Sequence, residues 1–468
     1  MALNSSKLKT AVALTMSTAM STSVALAKQP NVLLLVVDDM GWTDTHYSGS
    51  DLYQTPNIDA LSRDGVIFTN GYAACTVSSP SRAALMTGKY PATLHITDWI
   101  EGWKMKESKL VVPDWTMYLP DSEVTMAEIF QANGYSTTHI GKWHLGENPE
   151  NWPENHGFDQ NIGGWAKGSP NKNTKSGYNG YFTPYGNPRL EDGGADEFLS
   201  ERLAKEACEY IEEQSGDIPF FLNMWFYGVH TPIMAREEKI EKYRAAAEKS
   251  THHKNPTYAA LVEHVDDAVG EIIDKLKEEG LYENTIIIFT SDNGGLCKDG
   301  KITSNYPLRS GKGDIYEGGV RVPLIIKNAG RTIPFTNDHT PLMSIDILPT
   351  VADLAGLSVD KGIKASWDGV SGKPLLKSAK ADLKRESIIF HYPHYHIEGA
   401  TPYSAIRRGD WKLIHIMEQD RYELYDLKND ISESRDLSGE NPQLVESLRN
   451  ELESILLEKE AQMPTLRE

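Results

Sequence analysis

The sequence predicts an α/β fold built on a parallel sheet, and three apolar runs carry this prediction. Residues 32–37 (VLLLVV), 220–225 (FFLNMW) and 285–290 (TIIIFT) are almost continuously apolar, as is typical of strands buried on both faces. Between the last two runs, apolar residues recur at helical spacing over 261–276, and Gly280 follows as a stop signal. Alternating strands and helices indicate a doubly wound sheet, with functional groups beyond the carboxyl ends of its strands.

Length and composition indicate a globular protein with one large α/β domain, alone or with a smaller partner. The formal net charge is −19 over 468 residues, which excludes nucleic-acid binding through bulk charge. An anionic substrate would therefore need basic residues gathered locally in a pocket. The cysteines, Cys75, Cys208 and Cys297, fit no metal-binding spacing and allow at most one disulfide.

Residues 1–27 are predicted to be a secretory signal peptide. Lys7 and Lys9 form a basic start, residues 10–26 carry no charge, and the segment ends in a small-x-small cleavage pattern at Ala27. Cleavage there leaves a periplasmic or secreted protein without stable membrane insertion. The alternative, a membrane anchor, is disfavoured because the stretch is short and rich in Ser and Thr.

Oxygen ligands follow two of the predicted strands. Asp38 and Asp39 come directly after the first strand, and Asp292 and Asn293 come shortly after the third. In a doubly wound sheet these strand ends share one edge, which places three carboxylates and an amide oxygen together. Such hard ligands suit Ca²⁺ or Mg²⁺ and are poor for zinc. The alternative is that each acid caps a helix after its strand.

The segment 78–88 (SSPSRAALMTG) predicts a nucleophile at the start of a helix. Ser78 offers the small reactive side chain, Pro80 can fix a turn, and Arg82 can hold an anion. The apolar run that follows indicates a helix that ends near Gly88. A helix N-terminus provides positive potential, which favours an anionic substrate. Taken alone, this string is equally compatible with a chance turn.

Further cations complete a candidate catalytic set. Lys142 and His144 lie in a turn between two glycines, His230 follows the second predicted strand, and Lys312 lies in a glycine-flanked loop. Individually, such residues are most often solvated or satisfied in loops. With Arg82 and a divalent cation they provide charge stabilisation and general acid/base groups for a tetrahedral oxyanion ester.

These ordered motifs resemble the formylglycine-dependent type I sulfatases of the alkaline-phosphatase superfamily. The resemblance implies a large mixed, mostly parallel sheet sandwiched by helices in residues 28–384. It also implies a C-terminal subdomain, residues 385–468, with a small antiparallel sheet and a helix, and the helical pattern at 444–457 agrees. The matching segments are 38–42, 55–61, 78–88, 141–146, 230–232, 291–295, 311–323, 408–413 and 423–427.

The resemblance also implies roles for individual residues. Position 78 would carry formylglycine, made by a formylglycine-generating maturation enzyme, and its aldehyde hydrate would supply the attacking oxygen. His144 would take the proton that releases sulfate, and His230 and Lys312 would serve the leaving alcohol. Arg82 and Lys142 would stabilise the hydrate and the bound sulfate. The implied ligands of Ca²⁺, in preference to Mg²⁺, are Asp38, Asp39, Asp292, Asn293 and residue 78.

One position departs from the commonest family pattern. That pattern has Cys where this chain has Ser78, and Cys75 lies three residues too early to replace it. Either the chain is a natural serine-type enzyme matured by a radical oxidase, or it is an inactive Cys→Ser variant. Unmodified Ser78 would keep the pocket but could not complete turnover by the hydrate route.

Three segments are predicted to form the walls of the substrate pocket. Trp99, Trp103 and Trp115 suit the faces of sugar rings, although core packing is an equally good explanation. Residues 151–187 form a long loop rich in Gly, Asn, Pro and Tyr, and such loops are often functional. The third segment is a proposed His/Tyr rim at residues 391–396 (HYPHYH), in which His391, His394 and Tyr395 are the predicted sugar contacts.

The leading hypothesis is a carbohydrate sulfatase that resembles marine bacterial enzymes acting on algal galactans such as carrageenan. One alternative is an aryl or choline sulfatase, or a phosphodiester or phosphonate hydrolase of the same superfamily. Another is a catalytically silent protein that binds sulfated glycans.

Overall fold

The computed structural model describes residues 28–173, 175–214, 217–330 and 332–467, and the predicted signal peptide lies outside them. The strands are β1 (Asn31–Val37), β2 (Val66–Phe68), β3 (Gly71–Tyr72), β4 (Leu110–Val111), β5 (Ser136–Gly141), β6 (Gln160–Ile162), β7 (Lys172–Asn173), β8 (Tyr178–Asn179), β9 (Phe220–Trp225), β10 (Thr285–Ser291), β11 (Leu324–Lys327), β12 (Phe335–Asn337), β13 (Leu342–Met343), β14 (Ser387–Tyr392), β15 (Tyr403–Arg408), β16 (Trp411–Ile416), β17 (Arg421–Asp426) and β18 (Thr465–Leu466).

The α-helices are α1 (Pro56–Asp64), α2 (Ser78–Thr87), α3 (Pro91–Leu94), α4 (Met126–Ala132), α5 (Leu199–Glu212), α6 (Glu237–Lys249), α7 (Pro256–Glu278), α8 (Glu317–Val320), α9 (Ile347–Ala355), α10 (Lys361–Ser366) and α11 (Pro442–Glu458). Short 3₁₀ turns cover Pro149–Asn151, Pro153–Asn155, Tyr282–Asn284, Ser344–Asp346 and Lys373–Leu376.

The main sheet has eight strands in the order β12-β2-β11-β10-β1-β9-β5-β6. The strands β10, β1, β9, β5 and β6 run parallel, whereas β11 is antiparallel to both β10 and β2. The sheet is therefore mixed and mostly parallel, as predicted. All three apolar runs are strands at its centre, and every residue of β1, β9 and β10 is buried.

Helices cover both faces of this sheet, and the alternation of side chains along β1 shows why. Leu33, Leu35 and Val37 pack in one core with apolar residues of α5 and α7. Val32, Leu34 and Val36 point to the opposite face and pack with α2, α4 and α9. Because both faces of the sheet are apolar and covered by helices, polar side chains that contact a ligand are expected beyond the strand ends.

The predicted helix over 261–276 is confirmed and is longer than the apolar pattern. It begins at Pro256, where Asn255 caps it by accepting hydrogen bonds from the backbone N–H groups of Thr257 and Tyr258. It ends at Glu278, and Gly280 follows with φ of +67°. A left-handed residue at this point is a common helix stop, and glycine adopts it without strain.

The C-terminal strands β14–β17 form an antiparallel sheet of four strands, and α11 packs on it. This sheet shares a hydrophobic core with Tyr72, Ala74 and Val77, which lead into α2. The predicted boundary at 384/385 stays a prediction, but the two sheets are joined by continuous packing. Cys75, Cys208 and Cys297 are free thiols. Among the described residues, no helix combines the length and apolarity that a membrane crossing needs.

Candidate active site

The ends of β1 and β10 bring the predicted oxygen ligands together. Val37 pairs with Ser291 in the sheet, so Asp38 and Asp292 leave adjacent strands at the same level. The Asp39 backbone N–H donates to Asp292 Oδ1 at 3.1 Å, and Asn293 Nδ2 donates to Asp39 Oδ1 at 2.8 Å. All four residues are at most 1% exposed. Asp39 has φ of +61°, in the left-handed region that non-glycine residues adopt uncommonly and aspartate more readily than most.

Residue 78 is the first residue of α2 and lies against this cluster. Ser78 Oγ is 3.2 Å from Asp38 Oδ1 and 3.4 Å from Asn293 Oδ1. The turn before the helix is fixed by Ser81, whose Oγ accepts from Cys75 N–H and donates to Cys75 O. The predicted helix therefore presents residue 78 at its positive N-terminus.

Two buried cations lie on the other side of Ser78. Arg82 Nε donates to Asp292 Oδ2 at 2.8 Å, and Lys142 Nζ donates to Asp38 Oδ2 at 2.7 Å and to Ser78 Oγ at 3.0 Å. Burial lowers the pKa of Lys142, although the Asp38 carboxylate opposes the shift. Burial raises the pKa of Asp38, and the nearby Asp292 and Asp39 carboxylates add to that rise while Lys142 opposes it.

Lys312 and His230 lie at the outer side of the carboxylates. Lys312 Nζ donates to Asp39 Oδ2 at 2.8 Å, and His230 Nε2 is 3.7 Å from the same oxygen. Although burial opposes it, the carboxylates of Asp39 and Asp38 raise the pKa of Lys312. Burial, reinforced by the charge of Lys312, lowers the pKa of His230 to about 3. The structure therefore pairs a charged lysine with a neutral histidine.

His144 reaches the site through a tight turn. It has φ of +62°, and its Nε2 lies 3.2 Å from Ile100 O. A Cβ at Gly168 would lie 2.3 Å from the imidazole ring, so only glycine permits this approach. The buried Nδ1 has no hydrogen-bond partner among the residues that the structure describes. Burial, together with the charges of Lys142 and Arg82, lowers the pKa of His144 well below its usual value. A neutral ring with an unpartnered nitrogen is suited to accept a proton.

These groups open into a cavity of about 480 Å³, here called the central cavity. Ser78, His144, His230 and Lys312 line its base. Its walls come from residues 99–101, 166–169 and 396–398, which join three separate loops around one opening. This volume is in the range of pockets that hold a small organic ligand.

The comparisons with known proteins agree with this arrangement. A family model described as sulfatase matches residues 30–357, and one described as the C-terminal part of N-sulphoglucosamine sulphohydrolase matches residues 311–462. A relative from Formosa agariphila named sulfatase is 32% identical, covering 93% of this chain and 90% of its own. The chain belongs to the sulfatase family.

Further relatives support the same assignment. Human N-acetylgalactosamine-6-sulfatase is 30% identical, covering 78% of this chain and 68% of its own. The crystal structure of Ps i-CgsB has 31% identity and a TM-score of 0.76, covering 92% of this chain and 93% of its own. The protein is thus a sulfuric ester hydrolase with the alkaline-phosphatase-like fold.

The predicted histidine rim of this sulfatase is wrong. His391 is buried and bonds to Ser404 Oγ and Gln462 O at 2.7 and 2.9 Å. His394 is buried between Thr97 Oγ1, at 2.8 Å, and the ring of Trp115. These imidazoles have structural partners and do not line the central cavity.

Tyr395 and Trp103 require the same correction. Tyr395 is buried, and its hydroxyl donates to Glu418 and accepts from the backbone N–H of Leu110. Trp103 packs on the small cluster that contains Tyr395. Both side chains therefore support the wall from behind. Trp99 does line the central cavity, as predicted.

His396, the last residue of the predicted rim segment 391–396, lines the central cavity and is buried against Gly313, although it is not among the three sugar contacts predicted in that segment. A Cβ at Gly313 would lie 2.1 Å from His396 Nδ1. The available signal was the glycine flanking Lys312, since a glycine beside a catalytic residue often marks a close approach. Of the described residues in the long loop 151–187, those at 166–169 line the central cavity.

A buried lysine from the C-terminal sheet holds the loop that carries Lys312. Lys412 Nζ donates to Ile315 O at 2.8 Å and to Glu317 Oε1 at 2.9 Å, and it lies 2.9 Å from Glu433 Oε1. The same loop bonds to the turns beside the other active groups. Lys312 N–H donates to Gly295 O, and Gly313 N–H donates to Thr76 O. The C-terminal sheet thus fixes the loop that carries Lys312, and this loop is bonded in turn to the segment before Ser78.

We expect Lys412→Met to destabilise the protein and to loosen residues 309–321. Removing one partner of a buried charge cluster costs roughly 3–5 kcal/mol, because Glu433 loses the ammonium group beside it and Glu317 is left with the more distant Arg321, at 3.4 Å. Urea unfolding measures the loss, and hydrogen–deuterium exchange should show faster exchange in 309–321. The matched control is Lys428→Ala, which removes an exposed lysine. Unchanged exchange in 309–321 would contradict the positioning role of Lys412.

Proposed function

We propose that the protein hydrolyses a sulfate ester on a carbohydrate, using formylglycine at position 78 and Ca²⁺ bound beside it. The observation that carries this proposal is the position of Ser78 Oγ, between buried carboxylates and the Lys142 ammonium group at the floor of the central cavity. A sulfated algal galactan such as carrageenan is the proposed substrate class. One of the solved structures similar to this chain is described as a complex of Ps i-CgsB with k-i-k-neocarrahexaose.

The residues present fit a divalent cation. Asp38, Asp39 and Asp292 place three buried carboxylates beside the oxygens of Asn293 and residue 78, and Arg82, Lys142 and Lys312 balance their charge. Burial raises the pKa of Asp38, and the neighbouring carboxylates add to that rise, so a bound cation would keep all three groups ionised. Donor atoms of Asp38, Asp39 and His230 also lie within 4.8 Å of one another.

We favour the oxygen set over one that includes His230. Asn293 Oδ1 faces Ser78 from the same side as Asp38, and oxygen ligands suit Ca²⁺ better than imidazole does. The His230 Nδ1 is also directed at Thr231 O at 2.8 Å, so its Nε2 stays available for the substrate. The proposed ligands are Asp38, Asp39, Asp292, Asn293 and residue 78.

The cationic groups would bind and orient the sulfate. Formylglycine supplies a hydrated aldehyde, with one oxygen to attack sulfur and a second oxygen that allows sulfate to be expelled. Lys142, already 3.0 Å from the residue 78 oxygen, would stabilise charge on that oxygen and on sulfate. Arg82 would add a second fixed positive charge, and its pairing with Asp292 keeps it oriented.

Proton transfer falls to the groups on either side of residue 78. His144 Nδ1 is free to accept the proton from the hydrate, because Nε2 is directed at Ile100 O. On the opposite side, Lys312 and His230 face the leaving alcohol from the cavity wall. Lys312 carries the positive charge there, and an arriving sulfate would favour protonation of His230.

Two other functions stay in consideration. An aryl or choline sulfatase, or a phosphodiester or phosphonate hydrolase, would use the same charges, and a substrate screen separates them. A silent binder of sulfated glycans is favoured by Ser78 itself, because an unmodified serine has one hydroxyl only.

The proposal also includes export of the protein through residues 1–27 and maturation of residue 78 by a formylglycine-generating enzyme.

Asp292→Ala should abolish binding of the divalent ion and weaken sulfate binding. The substitution removes a carboxylate that also orients Arg82, so both metal and anion sites lose a partner. Elemental analysis of the purified protein measures metal content, and Asp299→Ala, at an exposed turn, serves as the control. Full metal occupancy in the Asp292 variant would count decisively against this site.

Lys142→Ala and Lys312→Ala should each lower turnover on the order of 100-fold or more in the matured enzyme. Each substitution removes a positive charge that faces the negative charge developing in the transition state. A loss of this size is the usual cost of removing one oxyanion stabiliser. Steady-state sulfate release measures the effect, with Lys428→Ala as the control. Near-normal rates in both variants would refute the assigned roles.

The test of the whole proposal is Ser78→Cys, co-expressed with a cysteine-oxidising maturation enzyme. A cysteine ahead of Ser79-Pro80-Ser81-Arg82 restores the commonest recognition string, so this variant should gain the formylglycine mass change and sulfatase activity. The Ser78 protein expressed aerobically should stay unmodified and release negligible sulfate while still binding glycan. Intact-mass spectrometry measures the modification of residue 78, and a screen of sulfated oligosaccharides against phosphodiesters measures the activity. Sulfate release by unmodified Ser78, or none from fully converted protein, would overturn it.

A further inference from the structure

Two additional cavities adjoin the central cavity and extend it in different directions. The first, here called the Lys172 cavity, measures about 380 Å³ and shares Lys167, Ser169 and Thr231 with the central cavity. The second, here called the Lys301 cavity, measures about 600 Å³ and shares residues such as Lys298 and Lys312 with it. The two additional cavities share no lining residue with each other. The central cavity therefore lies between them.

An exposed ion pair marks each border. Lys167 Nζ lies 2.9 Å from Glu101 Oε1, with the side chains 43% and 59% exposed. Lys298 Nζ lies 3.6 Å from Glu398 Oε1, with the side chains 47% and 30% exposed. Such exposed pairs add little to the stability of the fold. A ligand can therefore break either pair by offering its charged side chains new partners.

The two additional cavities differ in charge. The Lys172 cavity is lined by Lys167 and Lys172 together with uncharged residues, and it has no acidic side chain. Within the described part of the chain, Lys172 forms no ion pair. In the Lys301 cavity, acids match or exceed the lysines. The charged residues that line it are Lys298, Asp299, Lys301, Lys312, Asp314 and Glu398.

This difference determines what each cavity can bind. An anionic group is attracted by Lys172, which has no acid beside it in the lining, and by Lys167 when the anion replaces Glu101, whereas the three acids and three lysines of the Lys301 cavity give no net attraction. Mixed charged groups instead accept and donate hydrogen bonds to neutral hydroxyls. Lys312 does not change this balance, because it is paired with Asp39.

We propose that the three cavities form one oligosaccharide cleft, with the reacting unit in the centre and neighbouring sugars on both sides. Lys167 and Lys172 bind an anionic group, sulfate or carboxylate, on one neighbour, and the Lys301 cavity binds hydroxyls of the other. The inference rests on the proposed carbohydrate sulfatase function. It makes the substrate an internal unit of an anionic glycan, recognised along the chain as well as at its sulfate.

The test measures binding to the unmodified Ser78 protein by isothermal titration calorimetry, so it does not depend on maturation. The probes are galactose monosulfate and neocarrahexaose. Lys172→Ala should weaken binding of neocarrahexaose about 10-fold more than binding of galactose monosulfate. The double variant Glu398→Gln/Lys301→Ala should also weaken binding of neocarrahexaose more than binding of galactose monosulfate. This difference should depend less on salt concentration than the effect of Lys172→Ala. Lys428→Ala is the matched control and should change neither affinity.

The outcomes separate this inference from the proposed function. Equal effects of Lys172→Ala on both probes, or no effect on either, would overturn the cleft. A hexasaccharide with a uronate in place of the neighbouring sulfate distinguishes the two anions: retained sensitivity to Lys172→Ala supports carboxylate binding, and lost sensitivity supports sulfate. If the matured enzyme releases sulfate from galactose monosulfate but the length effect is missing, only the cleft fails. If no sulfated sugar is hydrolysed, the proposed function fails.

Discussion

The rest of the site depends on one buried balance of charge at the ends of β1 and β10. The carboxylates of Asp38, Asp39 and Asp292 face the cations Arg82, Lys142 and Lys312, each within hydrogen-bond or ion-pair distance. Three charges of each sign leave the cluster neutral, so a divalent cation would make it positive where a sulfate ester must bind. This explains how a chain with formal net charge −19 can hold an anion, because the positive potential is local and buried.

The balance is maintained by both parts of the molecule. Lys312 can reach Asp39 only because its loop is bonded to Gly295 on one side and to Thr76 on the other. The loop is anchored in turn by Lys412, which comes from β16 of the C-terminal sheet. Thr76 Oγ1 also lies 2.5 Å from the Tyr403 hydroxyl of β15. A disturbance in the C-terminal sheet is therefore transmitted to the turn before Ser78.

The sequence allowed the strands, the α2 helix and the charged groups to be predicted, and the reason is physical. A buried parallel strand must be apolar throughout, so the polar residues at its end stand out, as Asp38 and Asp292 do. The histidine rim failed because His391 lies in a strand of a sheet that is covered by α11, where polarity does not indicate exposure. His396 was not singled out within segment 391–396 because its close contact, Gly313, is distant in sequence, and Lys412 was missed because its partner Glu433 carries no local pattern.

The same geometry explains why residue 78 decides between a catalyst and a binder. The single hydroxyl of Ser78 is already bonded within the cluster, to Asp38 and Lys142. Attack on sulfur through that oxygen would leave an alkyl sulfate on serine, as stable as the substrate, and no neighbouring hydroxyl could expel it. In the proposed mechanism Arg82, Lys142 and His144 would stabilise charge and move protons, but they would not supply the second oxygen. By that route turnover would require a chemical change at this one side chain, while the fold, the cavity and the charges around it are already in place.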